Sequence, residues 1–144
     1  MELDNMVAIV LAAGKGTRIN ARKINKVMYP LAGKPMIGYT VDLLKKVGFK
    51  KIIIVIGFAK QSVIDYLGKN FIYAYQVFDD GQAKLDKTGF LKAPSSIENI
   101  LVINADDSAF YPVRVIKDLI RRHLDKKADM TFLTVNKKNP NIAR

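Results

Sequence analysis

The sequence predicts an α/β fold with an open, mostly parallel sheet and helices on both faces of that sheet. Short, continuous apolar runs are typical of buried parallel strands, and they recur at residues 6–11, 51–56, 71–76, 100–103 and 130–135. Segments whose apolar residues have helical spacing lie between these runs, at 35–47, 61–67 and 112–124. Strands that alternate with helices along 144 residues indicate one domain of layered α/β architecture.

The elements follow one another in a regular order. The run MVAIVL is the first strand, a glycine-rich loop follows it, and Pro35 opens the first helix, which Gly48 ends. KIIIVI is the second strand, and the short helix after it ends at Gly68. FIYAYQ, ILVI and MTFLTV are the third, fourth and fifth strands. The polar stretch 78–96 is interpreted as a loop with a short helix.

The composition excludes several functional classes. The chain has no cysteine, which excludes a disulfide framework, a thiol nucleophile and a cysteine-based zinc site. His123 is the single histidine, so a two-histidine metal motif is excluded as well. No apolar run approaches ~18 residues, and the acidic start MELDNMVAIV is unlike a signal peptide, so we expect a cytoplasmic protein. The net charge of +11 fits either a solvated lysine-rich surface or a polyanionic partner.

The loop after the first strand has the composition of a phosphate-binding segment. Gly14 and Gly16 allow a ligand to approach the backbone closely, and backbone N–H groups bind phosphate oxygens. Lys15, Arg18 and Lys26 add positive charge. The loop is not a P-loop, because G-x-x-x-x-G-K-[ST] is absent, and it lacks the third glycine of a dinucleotide fingerprint.

Polar residues also follow two other predicted strands. Gln76 closes the third strand, and Asp106 and Asp107 come after the fourth. Ligands of parallel α/β sheets bind outside the carboxyl ends of the strands. We therefore expect the glycine-rich loop, Gln76 and the two aspartates to share one edge of the sheet.

Two motifs carry a resemblance to a known family. LAAGKGTRI, followed by KVMYPLAGKPMI, resembles the N-terminal signature of the sugar-1-phosphate nucleotidyltransferases, and most of all the N-acetylglucosamine-1-phosphate uridyltransferase (pyrophosphorylase) domain. The likeness continues at VGFKKIIIVIG, at Gln76 and at ILVINAD. It implies a Rossmann-like three-layer sandwich of nucleotidyltransferase type. Residues 1–144 would be the N-terminal portion of such a domain, about its first two-thirds, so a truncated fold is expected.

The resemblance implies a role for each matching residue. The catalytic residues would be Arg18, which would meet the departing pyrophosphate, and Lys26, which would meet the α-phosphate. Asp106 would ligate Mg²⁺, with Asp107 as the alternative ligand. Gln76 would recognise uracil. The substrate-binding residues would be Leu11, Ala12, Ala13, Gly14, Gly16, Thr17, Gln76 and Gly81.

The chain departs from the family pattern at several places. Asn25 stands where the family usually has proline, and Ala105 stands where it usually has glycine, so that the Ala105 methyl group would crowd the sugar. DDGQAKL, which contains Gly81, replaces a loop of the LGTGHA type. The second metal carboxylate and several sugar-binding residues of the family have no counterpart within 1–144. We therefore expect nucleotide binding but little turnover from these residues alone.

Three functions remain open at this point. The first is an enzyme that condenses an NTP, with UTP the first choice, and a sugar-1-phosphate, with N-acetylglucosamine-1-phosphate the first choice, to an NDP-sugar and pyrophosphate. Its partners would be these two substrates and Mg²⁺, without a membrane; an oligomer or a further C-terminal domain stays open. The second is a nucleotide- or sugar-nucleotide-binding domain without turnover, which Ala105 and the altered 79–85 loop favour. A nucleic-acid-binding domain rests on the charge of +11 alone and is least favoured.

Overall fold

The structure is a computed structural model, and it describes residues 3–16, 24–76, 78–79, 82–83, 93–108, 110–134 and 136, with only the backbone at 78–79 and 82–83. The chain consists of two compact units, Met1–Tyr111 and Pro112–Arg144. The strands of the first unit are, in chain order, β1 Met6–Ala12, β2 Pro30–Leu31, β3 Lys34–Pro35, β4 Ile52–Ile56, β5 Ile72–Tyr75, β6 Phe78–Asp79, β7 Gln82–Ala83 and β8 Asn99–Asn104. Its helices are α1 Met36–Val47 and α2 Lys60–Leu67, and a 3-10 turn spans Lys26–Met28.

Four strands form a central parallel sheet with the order β5-β4-β1-β8. Every residue of β4 is buried, and in β1 only Leu11 is partly exposed. These two strands are the continuous apolar runs of the sequence, because a strand with neighbours on both sides and covered faces needs apolar residues at every position. The predicted parallel α/β sheet is therefore confirmed.

One face of the sheet carries a compact apolar cluster. The register pairs Ile9 with Ile53 and Val55 with Ala74, so that side chains of neighbouring strands point to the same side. The buried members of the cluster are Val7, Ile9, Ala13, Ile53, Val55 and Ala74, and the partly buried residues packed on them are Leu11, Ala93 and Ile97. The first residue after β1, Ala13, thus belongs to the core.

Helix α1 begins and ends where its sequence predicts. Ile37, Val41 and Leu44 lie on one helical face, and all three are buried. Pro35 is the residue that precedes the first turn, and Gly48 ends the helix with a φ of 115° while its N–H donates to the carbonyl groups of Leu44 and Lys45.

A small hairpin within the predicted loop was not anticipated. Strands β2 and β3 pair antiparallel, and Ala32 and Gly33 connect them with φ values of 48° and 80°. Positive φ at both central residues is the geometry of a two-residue type I′ hairpin turn, which glycine adopts without strain. The hairpin leads the chain from the 3-10 turn directly into α1.

The second unit contains helix α3, Val113–Lys126, in which Ile116 and Ile120 are buried. The fifth predicted strand, at 130–135, is wrong over its described residues, because 130–134 have no strand structure. Met130 and Phe132 are 70% and 73% exposed. A strand exists only when its backbone groups pair with a neighbour, and the apolar β-branched run supplies the propensity but not the partner.

Within the described ranges, no helix is long and apolar enough to span a bilayer.

Candidate functional site

The site lies at the carboxyl edge of the sheet, where β1 and β8 end side by side. The chain runs from β1 through α1 to β4 on one side of β1, whereas β8 lies on its other side, so the order of strands reverses here. Such a switch point leaves a crevice between the two loops that start there. The Ala105 N–H donates to the Leu11 carbonyl at 3.2 Å, which ties the two loops together at their base.

The loop after β1 begins buried and then becomes accessible. Ala12, the last residue of β1, and Ala13, the first residue of the loop, are buried, whereas Gly14 and Lys15 are exposed. Gly16 has a φ of 62°, a left-handed conformation that glycine adopts readily. A Cβ atom placed on Gly14 would lie 4.0 Å from the Lys26 Cε atom, so the lysine side chain passes close beside this glycine.

Lys26 and Asp106 form an ion pair across the switch point. Lys26 opens the 3-10 turn, and Asp106 lies in the turn that follows β8. Both side chains are 31% exposed, so each is accessible to a ligand. The two residues for which the family resemblance implies a phosphate contact and a metal contact are thus neighbours in the fold.

Asn25, the residue before Lys26, is fully buried and holds three segments together. Its Nδ2 donates to the carbonyl oxygens of Ala12 at 2.7 Å and Phe58 at 2.8 Å. Its Oδ1 accepts the Val27 N–H at 3.1 Å and so caps the 3-10 turn. Asn25 has a φ of −62°, which is also the value that proline requires, so asparagine and the family's proline fit the same backbone.

A second buried polar cluster lies under Asp106. Thr40 of α1 donates from Oγ1 to the Ala105 carbonyl at 3.3 Å and lies 3.1 Å from Ser108 Oγ. Ser108 Oγ donates to the Asn104 carbonyl, and both hydroxyl side chains are fully buried. Helix α1 therefore fixes the turn that carries Asp106.

Ala105 is itself fully buried. Its methyl group offers no surface to solvent. The expectation that this methyl group crowds the sugar therefore has no support in the structure.

Gln76 lies at the same edge of the sheet, at the end of β5. Its N–H donates to the Ile56 carbonyl at 2.8 Å, which continues the pairing of β5 with β4, and its side chain is partly buried. Two strand spacings, roughly 10 Å, separate β5 from β1. At the carboxyl edge of the sheet, the Lys26 ammonium group thus lies near the end of β1, and the Gln76 residue lies near the end of β5.

Three of the residues selected from the sequence, Thr17, Arg18 and Gly81, lie outside the described residues. The described part of the chain holds no group of three or more histidine, cysteine or acidic side chains that could hold a metal. Asp106 and the adjacent Asp107 supply two carboxylates, and the Asn104 amide donates to Asp107 at 3.5 Å. A single hard carboxylate beside substrate phosphates suits Mg²⁺, which keeps most of its water ligands.

Sequence reasoning missed the supporting residues of the site. In the sequence, Asn25 is notable only as a departure from a family pattern, and no role is predicted for Thr40 or Ser108. A signal was present for Thr40, because it lies on the buried side of α1 between Ile37 and Val41. A polar residue at a core position of an amphipathic helix needs a hydrogen-bond partner elsewhere in the fold.

Comparison with known proteins identifies the family. The MobA-like NTP transferase domain matches residues 8–143. The chain belongs to this family. The recognised resemblance to nucleotidyltransferases is thereby confirmed, and so is the α/β nucleotidyltransferase fold.

Individual relatives agree with this membership. The bifunctional protein GlmU of Symbiobacterium thermophilum is 36% identical over 140 residues, which cover 96% of this chain and 29% of that protein. A putative glucose-1-phosphate thymidylyltransferase from Bacillus anthracis, crystallised with a sucrose, is 26% identical with a TM-score of 0.57, over 79% of this chain and 51% of that one. Rv0371c from Mycobacterium tuberculosis shares the fold at 19% identity and a TM-score of 0.67, over 88% and 62% of the two chains. The chain thus spans under a third of the length of its GlmU relative.

Proposed function

We propose that this chain binds an NTP, UTP by preference, and takes part in its condensation with a sugar-1-phosphate, N-acetylglucosamine-1-phosphate by preference. The observation that carries the proposal is the Lys26–Asp106 pair beside Gly14 at the switch point. One cation for a phosphate and one hard oxygen ligand for Mg²⁺ meet there, in a chain of the MobA-like NTP transferase domain family.

The reaction requires mainly that the two substrates are positioned and that the negative charge of their phosphate groups is neutralised. A phosphate oxygen of the sugar-1-phosphate attacks the α-phosphorus of the nucleotide, a new P–O bond forms, and the bond to pyrophosphate breaks. The nucleophile is already an anion, so the reaction requires no histidine or cysteine. Preorganised cations and backbone N–H groups are the features that stabilise such a transition state.

Each residue of the site then has a defined task. Lys26 contacts the α-phosphate, and the backbone around Gly14 surrounds the phosphates. Asp106 would hold Mg²⁺, and the bound ion would supply positive charge against the phosphate oxygens. Gln76 offers one donor and one acceptor to the carbonyl and imide groups of uracil. Arg18 meets the departing pyrophosphate.

The choice of substrates rests on the relatives as well as on the site. The GlmU relative is similar over nearly the whole of this chain, and the Bacillus anthracis structure bears the name of a sugar-phosphate nucleotidyltransferase. The burial of Ala105 weakens one of the two features that favour a binding domain without turnover.

The experiment has a binding arm and a turnover arm. Amide chemical shifts are recorded while Mg-UTP is added, and pyrophosphate release is measured on the longest available chain of the protein with a panel of nucleotides and sugar-1-phosphates. We expect shifts at Gly14, Lys26 and Asp106, and their weakening in Asp106→Asn, which keeps the size of the side chain and removes its charge. Asp129→Asn, at an exposed aspartate of the second unit, is the matched control. Shifts confined to 113–126 would contradict the proposed site, and binding of every nucleotide without turnover would favour the binding domain.

A further inference from the structure

The side-chain amide of Asn25 makes three hydrogen bonds in the interior of the protein, two as donor and one as acceptor. Both N–H groups have carbonyl acceptors, at Ala12 and Phe58, and the oxygen accepts the Val27 N–H. These partners belong to the end of β1, to the loop after β4 and to the turn that begins with Lys26. The amide of Asn25 thus joins three segments that are distant from one another in the sequence.

We propose that Asn25 is a positioning residue of the nucleotide site: its amide sets the orientation of the Ala12–Ala13 peptide and of the Lys26 turn at the same time. The inference rests on the proposed function and deepens it. Asn25 touches neither substrate nor metal, since it is fully buried. It acts through the backbone of the glycine loop and through the placement of Lys26.

Peptide geometry explains how the side chain sets the loop. No peptide bond in the described chain is cis, and in a trans peptide the C=O and the following N–H point in opposite directions. The bond from Asn25 holds the Ala12 carbonyl toward the interior, so the Ala13 N–H points away from Asn25. The Phe58 N–H holds the next carbonyl, that of Ala13, at 3.4 Å. Two successive carbonyl groups, those of Ala12 and Ala13, thus accept hydrogen bonds from the Asn25 side chain and the Phe58 N–H.

The chemistry of this position selects an amide. A carboxylate would place oxygen against the carbonyl oxygens of Ala12 and Phe58 in a buried site, where an unpaired acceptor is costly. Proline fits the φ of −62° but has no donor for either carbonyl. Asn25→Asp therefore replaces the two donors by acceptors, whereas Asn25→Pro keeps the φ of this position and removes both the side-chain bonds and the 3.4 Å bond from the Asn25 N–H to Ser62 Oγ.

The first readout uses the free protein and does not depend on its function. Amide chemical shifts of Ala13 and Gly14 are compared between the wild-type chain, Asn25→Asp and Asn25→Pro. Asn70→Asp is the matched control, because it makes the same change at an exposed asparagine in a turn. We expect the two amides to move in both Asn25 variants and to stay in place in the control. Unchanged amides in the Asn25 variants would overturn the inference.

The second readout is the affinity for Mg-UTP, measured by calorimetry at a temperature where each variant is folded. We expect a loss of about 10- to 100-fold in both Asn25 variants, the size of effect that follows the loss of a hydrogen bond to a charged phosphate group. Val47→Ala truncates a buried side chain in the last turn of α1 and supplies a destabilised chain with an intact loop. An equal loss of affinity in Val47→Ala, or full affinity in Asn25→Pro with shifted amides, would show that Asn25 is merely structural.

The outcomes separate this inference from the proposed function. A wild-type chain that binds no Mg-nucleotide contradicts the proposed function, and the amide shifts of the free chain then still decide whether Asn25 orients the loop. If Asn25→Asp does not fold, Asn25→Pro and Asn25→Ser serve in both readouts, because neither buries a charge.

Discussion

Replacing Thr40 by valine tests whether helix α1 fixes the turn that carries Asp106. The two hydroxyl protons of Thr40 and Ser108 serve three contacts: the Ala105 carbonyl, the Asn104 carbonyl and the contact between the hydroxyls themselves. Valine keeps the shape of threonine and removes one proton. Ser108 can still donate to Asn104, so the loss falls on the Ala105 carbonyl.

The expected magnitude follows from the geometry. A buried acceptor left without its donor costs about 1–3 kcal/mol, and the 3.3 Å distance from Thr40 to the Ala105 carbonyl favours the lower end, about 1–1.4 kcal/mol. The double variant with Ser108→Ala replaces both hydroxyls by apolar groups. Both carbonyl acceptors lose their donors in it, but the contact between the two hydroxyls, which each single change already breaks, is lost only once, so the double variant should cost less than the sum of the single changes by about 0.5–1 kcal/mol.

Hydrogen exchange at the Ala105 amide measures this locally, because that N–H bonds to the Leu11 carbonyl at the base of the site. A change of about 1–1.4 kcal/mol corresponds to an exchange rate roughly five- to tenfold higher, taken relative to the Ile54 amide in the centre of β4. Thr40→Ser keeps the hydroxyl and is the control; it should leave that ratio unchanged. An unchanged ratio in Thr40→Val, or strict additivity with Ser108→Ala, would refute the assigned role of the cluster.

Three further predictions concern the site and the fold. Lys26→Ala should lower kcat about 100-fold and raise KM far less in an active chain, because its charge acts mainly in the transition state, whereas the exposed Lys69→Ala should change neither; steady-state kinetics with an unchanged kcat would assign Lys26 to ground-state binding. Gln76→Ala should reduce the preference for UTP over CTP in competition binding, and an undiminished preference would exclude Gln76 from base recognition. Gly48→Ala should destabilise the protein by about 1–2 kcal/mol in thermal unfolding, since its φ of 115° strains any side chain, and an unchanged Tm would show that the backbone adjusts at this helix end.

The sequence predicts the central strands well for a physical reason. β1 and β4 are buried on both faces, so each position in them must be apolar and no other interpretation of the runs competes. The run at 130–135 has a similar composition, but pairing with a neighbour is a non-local property that composition does not contain. The hairpin at 30–35 depends on a two-residue turn, a signal as short as Ala32-Gly33.

The site shows the same limit at the level of single residues. Lys26 and Asp106 could be selected from the sequence because exposed charged groups at strand ends have a recognisable position and chemistry. Asn25 and Ser108 could not, because a buried polar residue is explained by its partners, and those partners come from distant segments of the chain. The roles proposed for Gln76 and the glycine loop remain predictions.

The exposed charged residues and the buried polar residues of the site have different roles. The Lys26–Asp106 pair is about one-third exposed, and an ion pair of this kind contributes at most about 1 kcal/mol to stability. The fold therefore does not depend on this ion pair. Lys26 can contact a phosphate and Asp106 a metal ion in place of each other with little loss of folding free energy. The buried bonds of Asn25 and of Thr40 with Ser108 hold the backbone on which the charges stand. A ligand that separates Lys26 from Asp106 thus leaves the backbone of the site intact, as the proposed binding and release of a nucleotide requires.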